Sequence, residues 1–346
     1  METNLRPLTL GEILDRTAQL YRENFVLFAG IAAVYAGVLL VLSLMQIGVQ
    51  EWLRAEHMMR QLVWVTGIGV LILWVAIFIF GGLAVAANNR AVSWVHLGER
   101  ATIRGAYTSI LPRLGRYLWL MAITTVMVWL PCVSLYVGYI VFILVYIRPK
   151  GIFTQPGIHK DPSSMIMFGV VSVVFLVLLL VAIVYAIFMA LRYSLAVPSC
   201  VVENLKARQA IRRSIELTKG ARGRIFLLGL LALAVQMGLV LITQLFFIIT
   251  TVKHNGQLSG NIRALQQVVA FFTNTFVAPI YATGLTLFYY DQRVRKEGFD
   301  LERMMQAAGM SALLPAHEAN LPPAPETPTE AEVTPVALPD SGSVHE

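Results

Sequence analysis

Phe25-Val-Leu-Phe-Ala-Gly-Ile-Ala-Ala-Val-Tyr-Ala-Gly-Val-Leu-Leu-Val-Leu-Ser-Leu-Met-Gln-Ile-Gly-Val49 carries no charged side chain, and none occurs anywhere between Glu23 and Glu51. About 20 apolar residues in an α-helix cross the roughly 30 Å of bilayer hydrocarbon, so this stretch is long enough to span. Five further charge-free runs follow it, bounded by Arg60 and Arg90, Arg116 and Arg148, Asp161 and Arg192, Arg224 and Lys253, and Arg263 and Asp291. The pattern predicts six transmembrane helices near residues 25–49, 62–88, 117–147, 164–191, 225–251 and 265–290. The third run holds Pro131 in its middle and reads either as one long kinked helix or as two short segments.

Composition agrees. The 346 residues are 57% hydrophobic and 14% charged, with a mean hydropathy of +0.68. Water-soluble domains carry about 25% charged residues. A folded chain of this length cannot hide such an excess in one core, which excludes an ordinary soluble protein and a disordered one. The fold class is therefore all-α and polytopic. Cys132 and Cys200 fall at different membrane depths, so no disulfide is expected.

The basic residues lie on one side. Twenty Lys and Arg fall in the N-terminal segment, the connections after the second and fourth helices, and the C-terminal segment; the other three connections hold seven. The positive-inside rule then places both termini in the cytoplasm and the protein in the cell's inner membrane. Residues 1–310 have a net charge of +13. Beyond Met310 there is no Lys or Arg, and seven prolines accompany six acids. The 311–346 tail is expected to be disordered, and reads either as a tether for a cytoplasmic partner or as a plain solvated tail. Residues 298–310 read as a short cytoplasmic segment, and 25–297 as the membrane domain.

Amphipathic stripes with a helical period precede three of the predicted spans. Leu10, Ile13, Leu14, Thr17, Ala18 and Tyr21 form the first, within an N-terminal helix in residues 1–24. Ile103, Ala106, Tyr107, Ile110, Leu111 and Leu114 form the second, and Ala207, Ala210, Ile211, Ser214, Ile215 and Thr218 the third. Thr9 and Glu12 have capping-box spacing. One interfacial helix followed by two membrane helices, repeated three times at offsets of 93 and 104 residues, is the simplest unit. Such helices either lie in the headgroup plane or pack under the bundle.

Three segments carry a family resemblance. They are Leu5-Arg-Pro-Leu-Thr-Leu-Gly-Glu-Ile-Leu-Asp-Arg-Thr-Ala-Gln-Leu-Tyr-Arg-Glu-Asn-Phe25, Val201-Val-Glu-Asn-Leu-Lys-Ala-Arg-Gln-Ala-Ile-Arg-Arg-Ser-Ile-Glu-Leu-Thr-Lys-Gly220 and Tyr290-Asp-Gln-Arg-Val-Arg-Lys-Glu-Gly-Phe-Asp-Leu-Glu302. Together they resemble the glycerophosphoryl diester phosphodiesterase membrane domain family over roughly residues 5–305. Ala221-Arg-Gly departs from it where an aromatic residue is expected. That domain takes its name from enzymes in which it precedes a soluble barrel, and such a barrel needs at least about 200 residues. The resemblance therefore implies a stand-alone membrane domain without catalytic activity.

The residues point the same way. His96-Leu-Gly-Glu99 is the nearest approach to a metal motif and has no second ligand group beside it, so no metal or cofactor is expected. No nucleophile triad or phosphate loop occurs, and the chain is read as no enzyme. Lys206, Arg208, Arg212, Arg213, Lys219, Arg222 and Arg224 stand against a single acid, Glu216. They read as a surface for anionic membrane lipids or as plain topology determinants. No aromatic ladder accompanies them, which argues against nucleic acid. Inside the spans there is no ionisable cluster of the kind pumps use. Asn274, flanked by Thr273 and Thr275 and followed by Pro279, reads either as interhelical hydrogen bonding or as a broken helix lining a substrate path. The leading expectation is a non-catalytic membrane scaffold or lipid-interacting protein; the alternative is a transporter or exporter of a small or lipidic solute.

Overall fold

The computed structural model describes residues 8–147, 162–253 and 259–298. The described residues up to Glu297 form one compact unit. The acidic tail, with the partner expected for it, lies outside the described residues. The helices are α1 (Leu10–Glu23), α2 (Phe25–Ala55), α3 (Met59–Ala76), α4 (Gly82–His96), α5 (Ile103–Ile110), α6 (Leu114–Phe142), α7 (Pro162–Tyr193), α8 (Ala196–Val202), α9 (Ala207–Thr218), α10 (Arg222–Lys253) and α11 (Gly260–Glu297). Among the described residues there is no strand. Six stretches are long and apolar enough to cross a membrane: Phe25–Ala55, Met59–His96, Ile103–Val145, Met165–Val202, Arg222–Val252 and Gly260–Glu297. The chain is a multi-pass membrane protein.

Most spans run further than the charge-free runs, because a charge marks the edge of hydrocarbon and not the end of a helix. At 1.5 Å per residue, 38-residue α11 overshoots a bilayer core of about 30 Å. The second span stays helical through a π turn at Ile77–Gly81 that joins α3 to α4. Here the chain approaches its neighbours closely: a Cβ on Gly82 would meet Met121 Sδ of α6 at 2.6 Å. Pro131 lies inside a continuous α6, which settles the third run as one helix. Pro279 likewise lies inside a continuous α11, so the helix is not broken there.

Local chemistry starts the short helices. Thr9 accepts the Glu12 N–H while the Glu12 carboxylate takes the Thr9 N–H at 2.7 Å. Thr102 Oγ1 accepts the Gly105 N–H at 3.1 Å, and Gln209 Oε1 accepts the Lys206 N–H at 3.2 Å. The capping positions are thus residues 9, 102 and 206, the same offsets that separate the stripes.

The packing is cyclic. α2 packs on α3, α6 on α7 and α10 on α11; these pairs meet through α4 with α6, α7 with α10 and α11 with α2. α4, α8 and α11 meet one another inside this ring. Each short helix lies on the long pair before it: α5 on α4 and α2, α9 on α7, α8 and α6. α1 has no preceding pair and packs on α11 and α10, the last one. Ile13, Ala106 and Ala210, one from each short helix, are fully buried. The centre of each stripe therefore faces the bundle, while Ala18 of the first and Leu111 of the second stay exposed.

Candidate functional site

The three short helices and the ends of α4, α8 and α11 gather most of the buried polar side chains at one end of the bundle, called the basic end below. A buried carboxylate anchors it. Asp291 has no exposed side-chain surface and accepts the Leu8 N–H at 2.7 Å, Arg295 Nε at 3.0 Å and Gln292 Nε2 at 3.0 Å, and pairs with Arg224 at 3.3 Å. The Leu8 carbonyl in turn accepts from Arg224 at 2.8 Å and Arg295 at 2.6 Å. The chain entering α1 is thereby clamped to α11.

A second carboxylate holds α9. Glu203 accepts Arg213 Nε at 3.1 Å and the Tyr289 hydroxyl at 2.5 Å, and Arg213 also donates to Glu297 at 2.7 Å. Burial disfavours the Arg213 charge, but the hydrogen bonds it donates to Glu297 and Glu203 outweigh it, and the pKa rises. Lys296 Nζ caps the last carbonyls of α9 at Glu216 and Lys219, at 2.7 and 2.8 Å. Between α4 and α11, Asn89 Oδ1 accepts from Thr286 at 2.9 Å and Ser93 shares a hydrogen bond with Tyr290 at 2.7 Å.

This geometry divides the seven basic residues between 206 and 224. Arg213 and Arg224 are ion-paired within the fold, and the Arg222 guanidinium sits 4.7 Å over the Phe188 ring. Lys206, Arg208, Arg212 and Lys219 stay exposed, with no side-chain partner among the described residues. The sequence alone does not distinguish the two groups. Nor does it flag Asp291, Glu203 or Tyr289, whose partners lie up to 283 residues away.

Asn274 and Pro279 occupy α11 deeper in the membrane. Two cavities flank the helix there, of about 240 and 80 Å³, and both are lined by Ala270 and Asn274. The smaller has Gln236, Thr243, Gln244, Gln266 and Thr273 in its wall beside apolar side chains. Pro279 has no N–H, which loosens the turn before it. Tyr21 of α1 donates to the Phe276 carbonyl there at 2.6 Å, and Asn88 reaches the Pro279 carbonyl at 3.5 Å. Asn88 Oδ1 and Thr275 Oγ1 are buried without a protein partner. Among the described residues no three His, Cys, Asp or Glu side chains gather in a way that would hold a metal ion.

A ring of membrane helices around buried polar contacts, with basic side chains left free at one end, defines the class: an integral membrane protein without an evident reaction centre among the described residues. The chain belongs to the family described as Domain of unknown function (DUF7847), which matches residues 8–292. No curated protein and no solved structure matches it.

Proposed function

We propose that the protein is a non-catalytic, lipid-interacting component of the cell's inner membrane, with both termini in the cytoplasm and the basic end against an anionic leaflet. The observation that carries this reading is the division of charge on and around α9. The fold uses Arg213, Arg222 and Arg224 internally and leaves Lys206, Arg208, Arg212 and Lys219 exposed. Each free charge near an anionic surface contributes about 1 kcal/mol. The one-sided distribution of Lys and Arg supports the orientation. The likeness to the glycerophosphoryl diester phosphodiesterase membrane domain belongs to this proposal, as does a tethering role for the tail. The cyclic contacts and the caps at the same place before each stripe support three copies of one ancestral unit.

The test is retention of phosphatidylglycerol by the purified protein, counted by native mass spectrometry from a mild detergent. R208Q/R212Q is expected to weaken retention about 30-fold, from two charges at about 1 kcal/mol each. Equal retention by the variant and the native protein would sink the reading.

Transport is the second reading. α11 is the least apolar of the six spans and the most enclosed, and Asn274 lies in both intramembrane cavities. Asn274→Leu is expected to abolish solute flux into proteoliposomes. No flux by the native protein across a broad panel of uncharged and lipidic solutes counts against this reading.

A further inference from the structure

We propose that Arg90, Arg113 and Arg116 form a binding site for a phosphate group against the turn between α8 and α9. The three side chains come from different places in the chain: α4, the residue before α6, and its first turn. They converge on residues 201–204. Arg90 donates to the Val201 carbonyl at 3.3 Å, Arg116 to the Asn204 carbonyl at 2.8 Å, and Arg113 to the Asn204 side-chain oxygen. Asn204 holds a left-handed backbone with φ of 60°, a conformation Asn tolerates better than most residues.

What singles out this cluster is the kind of acceptor. Every oxygen the three arginines contact is neutral, and among the described residues none of them makes an ion pair. The neighbouring carboxylate, Glu203, is committed to Arg213 and Tyr289. Three guanidinium groups held together without a counter-charge repel one another. Each presents five N–H donors in a planar fork, most of them unspent, and such forks match phosphate oxygens. Arg90 is also steadied by the Trp94 ring, 5.2 Å from its carbon. The cluster sits where the second and fourth spans end and the third begins, which is headgroup depth. A phosphate ester there comes from a phospholipid or from a soluble phosphate compound.

The site deepens the lipid reading but uses other residues than the exposed ones of α9, so the two can fail separately. The delipidated full-length protein in neutral detergent would be titrated with dioleoyl-phosphatidylglycerol, and with dioleoylglycerol as the phosphate-free control. Saturable binding of the phospholipid, at least tenfold tighter than the control, is expected. R113K/R116K keeps both charges but loses the forks, and is expected to bind at least tenfold more weakly than the native protein. N204A removes the Arg113 contact and loosens the turn but retains all three arginines; it is expected to melt lower and to bind within twofold of the native protein. Equal binding of dioleoylglycerol, native-like binding by R113K/R116K, or an equal loss in N204A overturns the proposal. Displacement of the phospholipid by millimolar inorganic phosphate identifies a soluble phosphate compound as the ligand, and failure to displace identifies the phospholipid. A loss confined to R208Q/R212Q overturns the site and leaves the lipid reading standing; a loss confined to R113K/R116K leaves the site standing and overturns the exposed charges of α9 as the lipid surface.

Discussion

Asp291→Ala is expected to lower the melting temperature of the detergent-solubilised protein more than any other single surface-end substitution, at a cost of about 3–5 kcal/mol. The carboxylate has no exposed side-chain surface and serves Arg224, Arg295 and the Leu8 N–H together. Removing it leaves two guanidinium groups facing each other with only the Leu8 carbonyl between them. The clamp on the chain entering α1 then opens. Trypsin should cut at Arg16 and Arg22 in the variant before the bundle itself is cleaved. Arg54→Ala is the comparison, because the Arg54–Glu51 pair is 44% and 40% exposed and such pairs contribute about 0–1 kcal/mol. Equal melting of the Asp291 and Arg54 variants would show that the clamp is not what holds α1.

Phe28→Ala is the second large effect, expected at about 3–5 kcal/mol. Phe28 is fully buried in a cluster with Leu20 of α1, Ile31 of α2, Ala87, Ala91 and Val92 of α4, and Ala106 of α5. Its ring stacks near Tyr21, with centroids 6.2 Å apart. Apolar burial gains little within a bilayer, where lipid tails are as apolar as the core. Packing still counts, because a cavity among four helices has no lipid tail to fill it and its walls lose their contacts. Val26→Ala two residues earlier is the control, since Val26 is 78% exposed and lipid replaces what the side chain loses. Reversible melting in one detergent would compare the two. A Phe28 variant as stable as the Val26 variant would mean that the cluster can collapse around the gap.

The spans were legible because lipid enforces a simple rule: a charge-free run must be long enough, and each of the six was. The short helices were legible for a related reason, since amphipathic periodicity records that one face is buried. What covers that face is not written in the stripe. Ile13 reads alike whether it meets acyl chains or α11, and only tertiary packing places it. The candidate lipid surface was half legible. Seven basic residues were visible as a run, but Arg213 and Arg224 find carboxylates on α11 that no local spacing announces. The proposed phosphate site was barely legible: Arg90, Arg113 and Arg116 fall among the basic residues that fix topology, and their convergence depends on how α4, α6 and α8 cross. Pro131 and Pro279 each leave a break open in the sequence, and at each the long helix, supported by its neighbours, continues.

The docking of α1 on α11 has a consequence for biogenesis. Leu8 and Asp291 are 283 residues apart, and at about 5–20 residues per second the ribosome takes about 15–60 s to travel between them. Throughout that time α1 has been made and its docking partner has not. An amphipathic helix without a protein partner settles on the membrane surface with its apolar face in the lipid. α1 therefore waits in the headgroup layer until α11 arrives and the nascent bundle locks.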